Sequence, residues 1–131
     1  MSKRILIVED DEGILNLLKE VLEKEGFEVI GLAGLNYTES IIKTIGKQKA
    51  DLVILDFLLP VRNGGELCHE IKRSPLTALV PVIMLSAFPR VIQSLGNYGA
   101  DVFIAKPFDI HELLNAVHSC FDDNLAALAG S

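Results

Sequence analysis

Five short apolar runs punctuate the chain: Ile5–Val8, Phe27–Leu32, Leu52–Leu55, Val82–Leu85 and Val102–Ile104. Each is short enough for a buried strand, and between them apolar residues recur at helical spacing. Ile14, Leu17, Leu18, Val21 and Leu22 predict a first helix, which Gly26 stops. Asn36 followed by Glu39 resembles a capping box and predicts a weaker helix to about Lys47. Asn63 and Glu66 repeat that pattern before Leu67, Ile71 and Lys72, and Pro75 forces a stop near Arg73. A short fourth helix is predicted over Val91–Tyr98, closed by Gly99. Asp109 and Glu112 cap a last helix that buries Ile110, Leu113, Leu114, Val117 and Phe121.

Strands this continuously apolar are buried on both faces, as in a parallel sheet covered by helices. Strict alternation of strand and helix predicts an α/β, doubly wound fold of five strands and five helices. The pattern fills residues 1–121. Residues 122–131, ending in "LAALAGS", fall outside it and are expected to be a disordered or appended C-terminal tail.

Composition narrows the class. The 131 residues suit one domain, and with 50% hydrophobic residues and a mean hydropathy of +0.37 they can bury a core. No apolar run is long enough to span a bilayer. "MSKRILIVED" meets an acid after four apolar residues, unlike a secretory signal, so a cytoplasmic protein is expected. Cys68 and Cys120 lack metal-ligand spacing and read as reduced, packed thiols. The histidines at 69, 111 and 118 lie on helical stretches and read as surface or packing residues. A net charge of −6, with no basic cluster, argues against direct nucleic-acid binding by this chain.

One run poses a chemical question. In "DLVILDFLLP" the carboxylate of Asp56 follows four apolar residues directly. In an open parallel sheet, ligands sit beyond the carboxyl ends of the strands. There strand one ends in Glu9-Asp10-Asp11, strand three in Asp56, strand four in Ser86, and strand five shortly before Lys106. Any one of these residues alone reads most simply as a turn or cap. Their joint placement on four strands carries the argument. Converging carboxylates repel one another, and a hard cation such as Mg²⁺ resolves this with oxygen ligands at about 2.0–2.1 Å. Acids, a hydroxyl and a lysine are what phosphoryl transfer to a carboxylate requires, because that chemistry is mostly positioning and charge neutralisation.

With those residues placed, the chain resembles a response-regulator receiver domain of the two-component type over about residues 3–121. "ILIVEDDEGI" is similar to the acidic-pair segment, with Glu9 and Asp10 as the pair and Asp11 a helix cap. "DLVILDFLLPVRNGGEL" resembles the phosphoacceptor segment, with Asp56, Pro60 and Gly64. "PVIMLSAF" places Ser86 at the Thr/Ser position, and "GADVFIAKPF" supplies Phe103, Lys106 and Pro107. The four segments occur in order and at compatible spacings. The stretch Ser86–Gly99 is shorter than in common members and carries Pro89 early, which predicts a short or displaced fourth helix.

The resemblance implies a flavodoxin-like sheet of order 2-1-3-4-5. It implies Mg²⁺ bound by Asp10, Asp56 and the Leu58 backbone carbonyl, with Glu9 helping through water. The implied donor is a sensor histidine kinase or a histidine phosphotransfer protein, and the acceptor is Asp56. Lys106 and Ser86 would bind the new oxygens. Ser86 and Phe103 would then move, remodelling the face of the fourth helix, fifth strand and last helix, and two phosphorylated copies could pair. The Lys106–Pro107 bond is expected to be cis, since an X-Pro bond favours trans by only about 0.5–1 kcal/mol. Leu58 and Phe88 would flank the path of a hydrolytic water, which implies slow self-dephosphorylation. The protein is thus expected to be a signalling domain with no other enzymatic activity. Three rivals are weaker. A flavodoxin-like binder would want a Ser/Thr/Gly-rich loop where "EDDEGI" stands. A dehalogenase-type phosphatase would want a second Asp where Leu58 stands. A receiver-like interaction module that works without phosphorylation has no need of the complete acid–Asp–Ser–Lys set.

Overall fold

The computed structural model describes residues 2–33, 40–59, 63–87 and 99–130, with side chains of the last helix through Asp122. The strands are β1 (Arg4–Val8), β2 (Glu28–Leu32), β3 (Leu52–Asp56), β4 (Val82–Ser86) and β5 (Val102–Ala105). The described helices are α1 (Glu12–Lys24), α2 (Ile41–Gln48), α3 (Gly64–Arg73) and α4 (Ile110–Gly130). All strand pairs are parallel, in the order β2-β1-β3-β4-β5. This is the predicted sheet. Four of the five predicted helices are described, and the fourth predicted helix, Val91–Tyr98, lies outside the described residues.

The period of two along each strand divides the core into two layers. Leu6, Val8, Val53, Leu55, Val82 and Met84 face α2 and α3, where Ile41, Ile45, Leu67 and Ile71 meet them. Ile5, Ile7, Leu52, Ile54, Ile83 and Leu85 face Leu18 and Leu22 of α1 and Leu113 and Val117 of α4. Every residue of β3 and β4 is buried, which is why those segments read as unbroken apolar runs.

Local chemistry sets the helix ends. Asp11 caps α1 by accepting the Ile14 amide at 3.1 Å, and Asn63 caps α3 by accepting the Glu66 amide at 2.8 Å. The C-terminus of α3 at Arg73 falls where Pro75 requires, and the buried Thr77 hydroxyl donates to the Ile71 carbonyl at 2.7 Å. α2 begins at Ile41, capped by Ser40, whose hydroxyl oxygen accepts the Lys43 amide at 3.2 Å. The predicted Asn36–Glu39 box lies outside the described residues, so Ser40 is the cap that the structure places before this helix. β2 starts one residue later than predicted. Gly26, at φ 93°, turns the chain, and Phe27 packs against His118 and Phe121. The backbone of the last helix continues to Gly130.

Candidate functional site

Four chain segments meet at the carboxyl edge of the sheet. After β1 the Glu9 amide still donates to the Leu32 carbonyl at 3.0 Å, which keeps Glu9 in line with the strand. Its side chain is 1% exposed, whereas the adjacent Asp10 is exposed. Asp56 closes β3 at 4% exposure, and the next amide, Phe57, donates to Leu85 of β4 at 2.9 Å. Ser86 closes β4 and is buried. Its carbonyl accepts the Lys106 amide at 2.8 Å, so β4 fixes where the Lys106 side chain departs.

The Lys106 ammonium bridges two carboxylates. Nζ lies 3.0 Å from Asp56 Oδ1 and 3.2 Å from each oxygen of Glu9. Burial and these contacts together shift all three groups. Burial pushes the Glu9 carboxyl up to about 7; the charge of Asp56 adds to the rise and Lys106 opposes it. Burial also raises Asp56, against the Lys106 hydrogen bond and charge and a hydrogen bond from the Leu58 backbone. Burial alone would lower Lys106, but the hydrogen bond and charge of Asp56, then Glu9, more than reverse this and hold the ammonium protonated.

One ammonium therefore faces two carboxylates, and a third, Asp10, stands beside them. Glu9, Asp10 and Asp56 each offer an oxygen, and all three lie within 4.8 Å of one another. Opposite ligands of an octahedral Mg²⁺ stand about 4 Å apart, so the spread suits a hard divalent cation after small side-chain adjustments. The raised carboxyls point the same way, since a second positive charge would relieve both. The donor set, all oxygen, is the set that Mg²⁺ takes.

The other expected residues fall as follows. Leu58 is beside Asp56, with its side chain 57% exposed. Phe103 on β5 is half-buried against the layer facing α2 and α3, in register with Met84. The Lys106–Pro107 bond is cis. Pro60, Phe88 and Pro89 lie outside the described residues.

Two features take their meaning only from the structure, one of them the reason for the Gly64 that the resemblance singled out. Gly64 opens α3 directly on the acceptor strand. Its amide donates to the Phe57 carbonyl at 2.8 Å, and a Cβ built on it would stand 2.3 Å from the Asp56 carbonyl oxygen. An open apolar depression of about 450 Å³ borders the site, lined by Ile14, Leu17, Ala87, Lys106, Pro107 and Phe108. Leu17 belongs to the apolar stripe of α1, yet it is 44% exposed on this depression.

Known proteins resemble this chain in sequence and in fold. The family model for the response regulator receiver domain matches residues 5–118. The alkaline phosphatase synthesis transcriptional regulatory protein PhoP of Bacillus subtilis is 35% identical over 117 residues, which is 86% of this chain and 46% of that protein. A CheY-like response regulator receiver domain protein from Methanospirillum hungatei superposes with a TM-score of 0.81 at 32% identity, covering 97% of this chain and 99% of that one. The response regulator protein TrrA of Thermotoga maritima, solved in complex with Mg²⁺ and BeF, gives a TM-score of 0.78 at 33% identity, covering 90% of this chain and 98% of that one. The chain spans about half the length of the curated relatives it matches. With the parallel 2-1-3-4-5 sheet and the acid–lysine cluster at its carboxyl edge, these matches show that the chain belongs to the response regulator receiver domain family.

Proposed function

We propose that Asp56 accepts a phosphoryl group from a phosphohistidine, carried by a sensor kinase or a phosphotransfer protein, in the cytoplasm. The observation that carries this reading is the Lys106 ammonium seated 3.0 Å from Asp56 Oδ1 at the end of the central strand. An Asp56 carboxylate oxygen attacks phosphorus and forms the new O–P bond. The P–N bond breaks, its electron pair stays on the imidazole nitrogen, and the proton carried by the other ring nitrogen leaves the imidazole neutral. The Asp56 carboxylate loses its charge as the O–P bond forms, and the transferred group brings its own negatively charged oxygens, which Lys106 and the Ser86 hydroxyl receive. Asp10, Asp56 and the Leu58 carbonyl would hold Mg²⁺, which when bound would supply charge neutralisation to those oxygens. Ser86 and Phe103 then shift together and change the β5 face, a population shift between two states.

The test is labelling with acetyl phosphate. With Mg²⁺ present, one phosphoryl group should appear, on the peptide containing Asp56, and chelation of Mg²⁺ should abolish it. A wild-type protein that stays unlabelled under these conditions would favour the interaction-module reading.

A protein donor must reach Asp56 past the depression beside Lys106, where Ile14, Leu17 and Phe108 offer an apolar ledge. Leu17→Glu places a charge on that ledge at an already exposed position. Transfer from a protein donor should slow about tenfold or more, whereas labelling by acetyl phosphate should hold. Equal slowing with both donors would show that the substitution damages the site itself.

Phosphoryl lifetime provides a further check. The exposed Leu58 side chain stands beside Asp56 and cannot hold a water. Leu58→Asn introduces a group that can, and the phosphoryl half-life should shorten several-fold. An unchanged half-life would remove Leu58 as the shield.

A further inference from the structure

We propose that two copies of this chain pair through the amino edge of the sheet, the edge opposite Asp56, with Leu76 and Leu79 of each copy covered by the depression that lies beside the same leucines of the other. The pairing needs no phosphoryl group and stands apart from the reading of Asp56 as the acceptor.

Among the described residues, the two most exposed large apolar side chains are neighbours: Leu76 at 83% and Leu79 at 93%. A single exposed leucine is ordinary. Here the loop between α3 and β4 is pinned and holds the pair outward. The Ser74 carbonyl accepts the Thr77 and Ala78 amides at 3.1 and 2.8 Å, and the Thr77 carbonyl accepts the Val80 amide at 3.0 Å. The Thr77 hydroxyl is anchored on the Ile71 carbonyl. The Lys72 ammonium donates to the Val80 carbonyl and to Asp101, each at 2.8 Å, and so ties the loop to the start of β5. A loop ordered in advance loses little freedom when a partner covers it.

Beside the leucines lies an open depression of about 270 Å³, walled by Ala50, Pro81 and Phe121 and lined also by Lys3 and Asp51. It has room for a leucine side chain. A protrusion and a recess on one face are what a two-fold pairing requires, because each surface must complement itself. The charges also favour a second copy. At a net charge of −6, two copies repel one another over the molecule as a whole. In this depression one lysine and one aspartate balance, and a two-fold axis lets Lys3 of each copy meet Asp51 of the other. The lining residues include those just before β1, β3 and β4, so both Asp56 sites face away from the interface and stay open to a donor.

Sedimentation of the full chain, never exposed to a phosphoryl donor, should show a reversible monomer–dimer equilibrium between about 10 μM and 1 mM. Leu79→Asp should weaken the dimer about tenfold or more, and Lys3→Glu about threefold or more. Leu17→Glu, at an exposed leucine away from this edge, should leave it unchanged. A thermal melt like that of the wild type verifies the fold of each variant; should Leu79→Asp melt early, Leu76→Ser takes its place. Amide shifts that depend on concentration should gather at residues 75–81, Ala50 and Phe121. A wild type that stays monomeric throughout would overturn the proposal. So would a dimer that ignores Leu79→Asp, or one weakened equally by Leu17→Glu. A monomer whose Leu76 and Leu79 methyl groups are hidden from a soluble paramagnetic agent would show that residues 123–131 of the same chain cover the patch, and would overturn it as well.

Discussion

Asp56→Asn is expected to take up no phosphoryl group at that position while keeping its fold, and to match or exceed the wild type in thermal stability. Loss of labelling follows from chemistry, since an amide oxygen is a poor nucleophile and cannot form the acyl phosphate. The stability follows from electrostatics. The carboxyl pKa of Asp56 is raised in the fold, chiefly by burial, so its charged form is disfavoured there. A carboxyl with a raised folded pKa binds protons in the native state that the unfolded chain has already released. At neutral pH the wild type therefore carries a strained charge, close to that of Glu9. Asparagine has the same shape and no charge. It sacrifices one contact of Lys106, which retains Glu9 at 3.2 Å. Intact-mass measurement after acetyl phosphate treatment, paired with a thermal melt, checks both halves. Undiminished labelling at residue 56 would sink the acceptor assignment. A melting temperature well below the wild type would mean that lost labelling reports misfolding instead of lost chemistry.

Gly64→Ala should disrupt both stability and labelling, although it adds a single methyl group. The new Cβ would lie 2.3 Å from the Asp56 carbonyl oxygen, 3.0 Å from its carbonyl carbon and 3.0 Å from the Phe57 Cα. All three are backbone atoms, so no side chain can swing away. Either α3 lifts from the sheet or the end of β3 moves, and the second outcome displaces Asp56 from Lys106. Overpacking of this kind costs about 1–3 kcal/mol or more. Gly46→Ala is the matched control. Gly46 lies inside α2 with nothing within 4 Å of a built Cβ, and a helix interior favours alanine by about 0.8–1.0 kcal/mol. Chemical denaturation should therefore show the two substitutions moving in opposite directions, with phosphoryl uptake impaired in Gly64→Ala alone. If Gly64→Ala proves as harmless as Gly46→Ala, the close packing of α3 on the acceptor strand is not what holds Asp56.

Much of this was legible in the chain, for a local reason. Asp56 ends a run of apolar residues whose length is that of one strand, so its position at the sheet edge follows from counting. Asp11 and Asn63 announce their helices because a cap bonds amides only two or three residues away. The start of α2 was less legible: Ser40, the cap the structure shows, carries no more local signal than its neighbours, and the helix is fixed by where Ile41 and Ile45 meet the sheet. The extent of the last helix was not legible, because nothing after Phe121 resembles a buried stripe and helical backbone alone leaves little mark on sequence.

The sequence by itself determined the order of elements, the two-faced burial of the strands and the edge where the acids, Ser86 and Lys106 collect. Hydrogen bonding and side-chain period are local, so the residues that obey them are near neighbours. Only the tertiary structure decided which acid does what. Glu9 and Asp10 are adjacent and chemically alike, yet one is buried against Lys106 and the other faces solvent. Glu9 and Lys106 are 97 positions apart, and they meet because β1 and β5 flank the central pair of strands in one sheet. The need for glycine at position 64 likewise arises from a contact with the Asp56 backbone, which exists only once α3 has packed on β3.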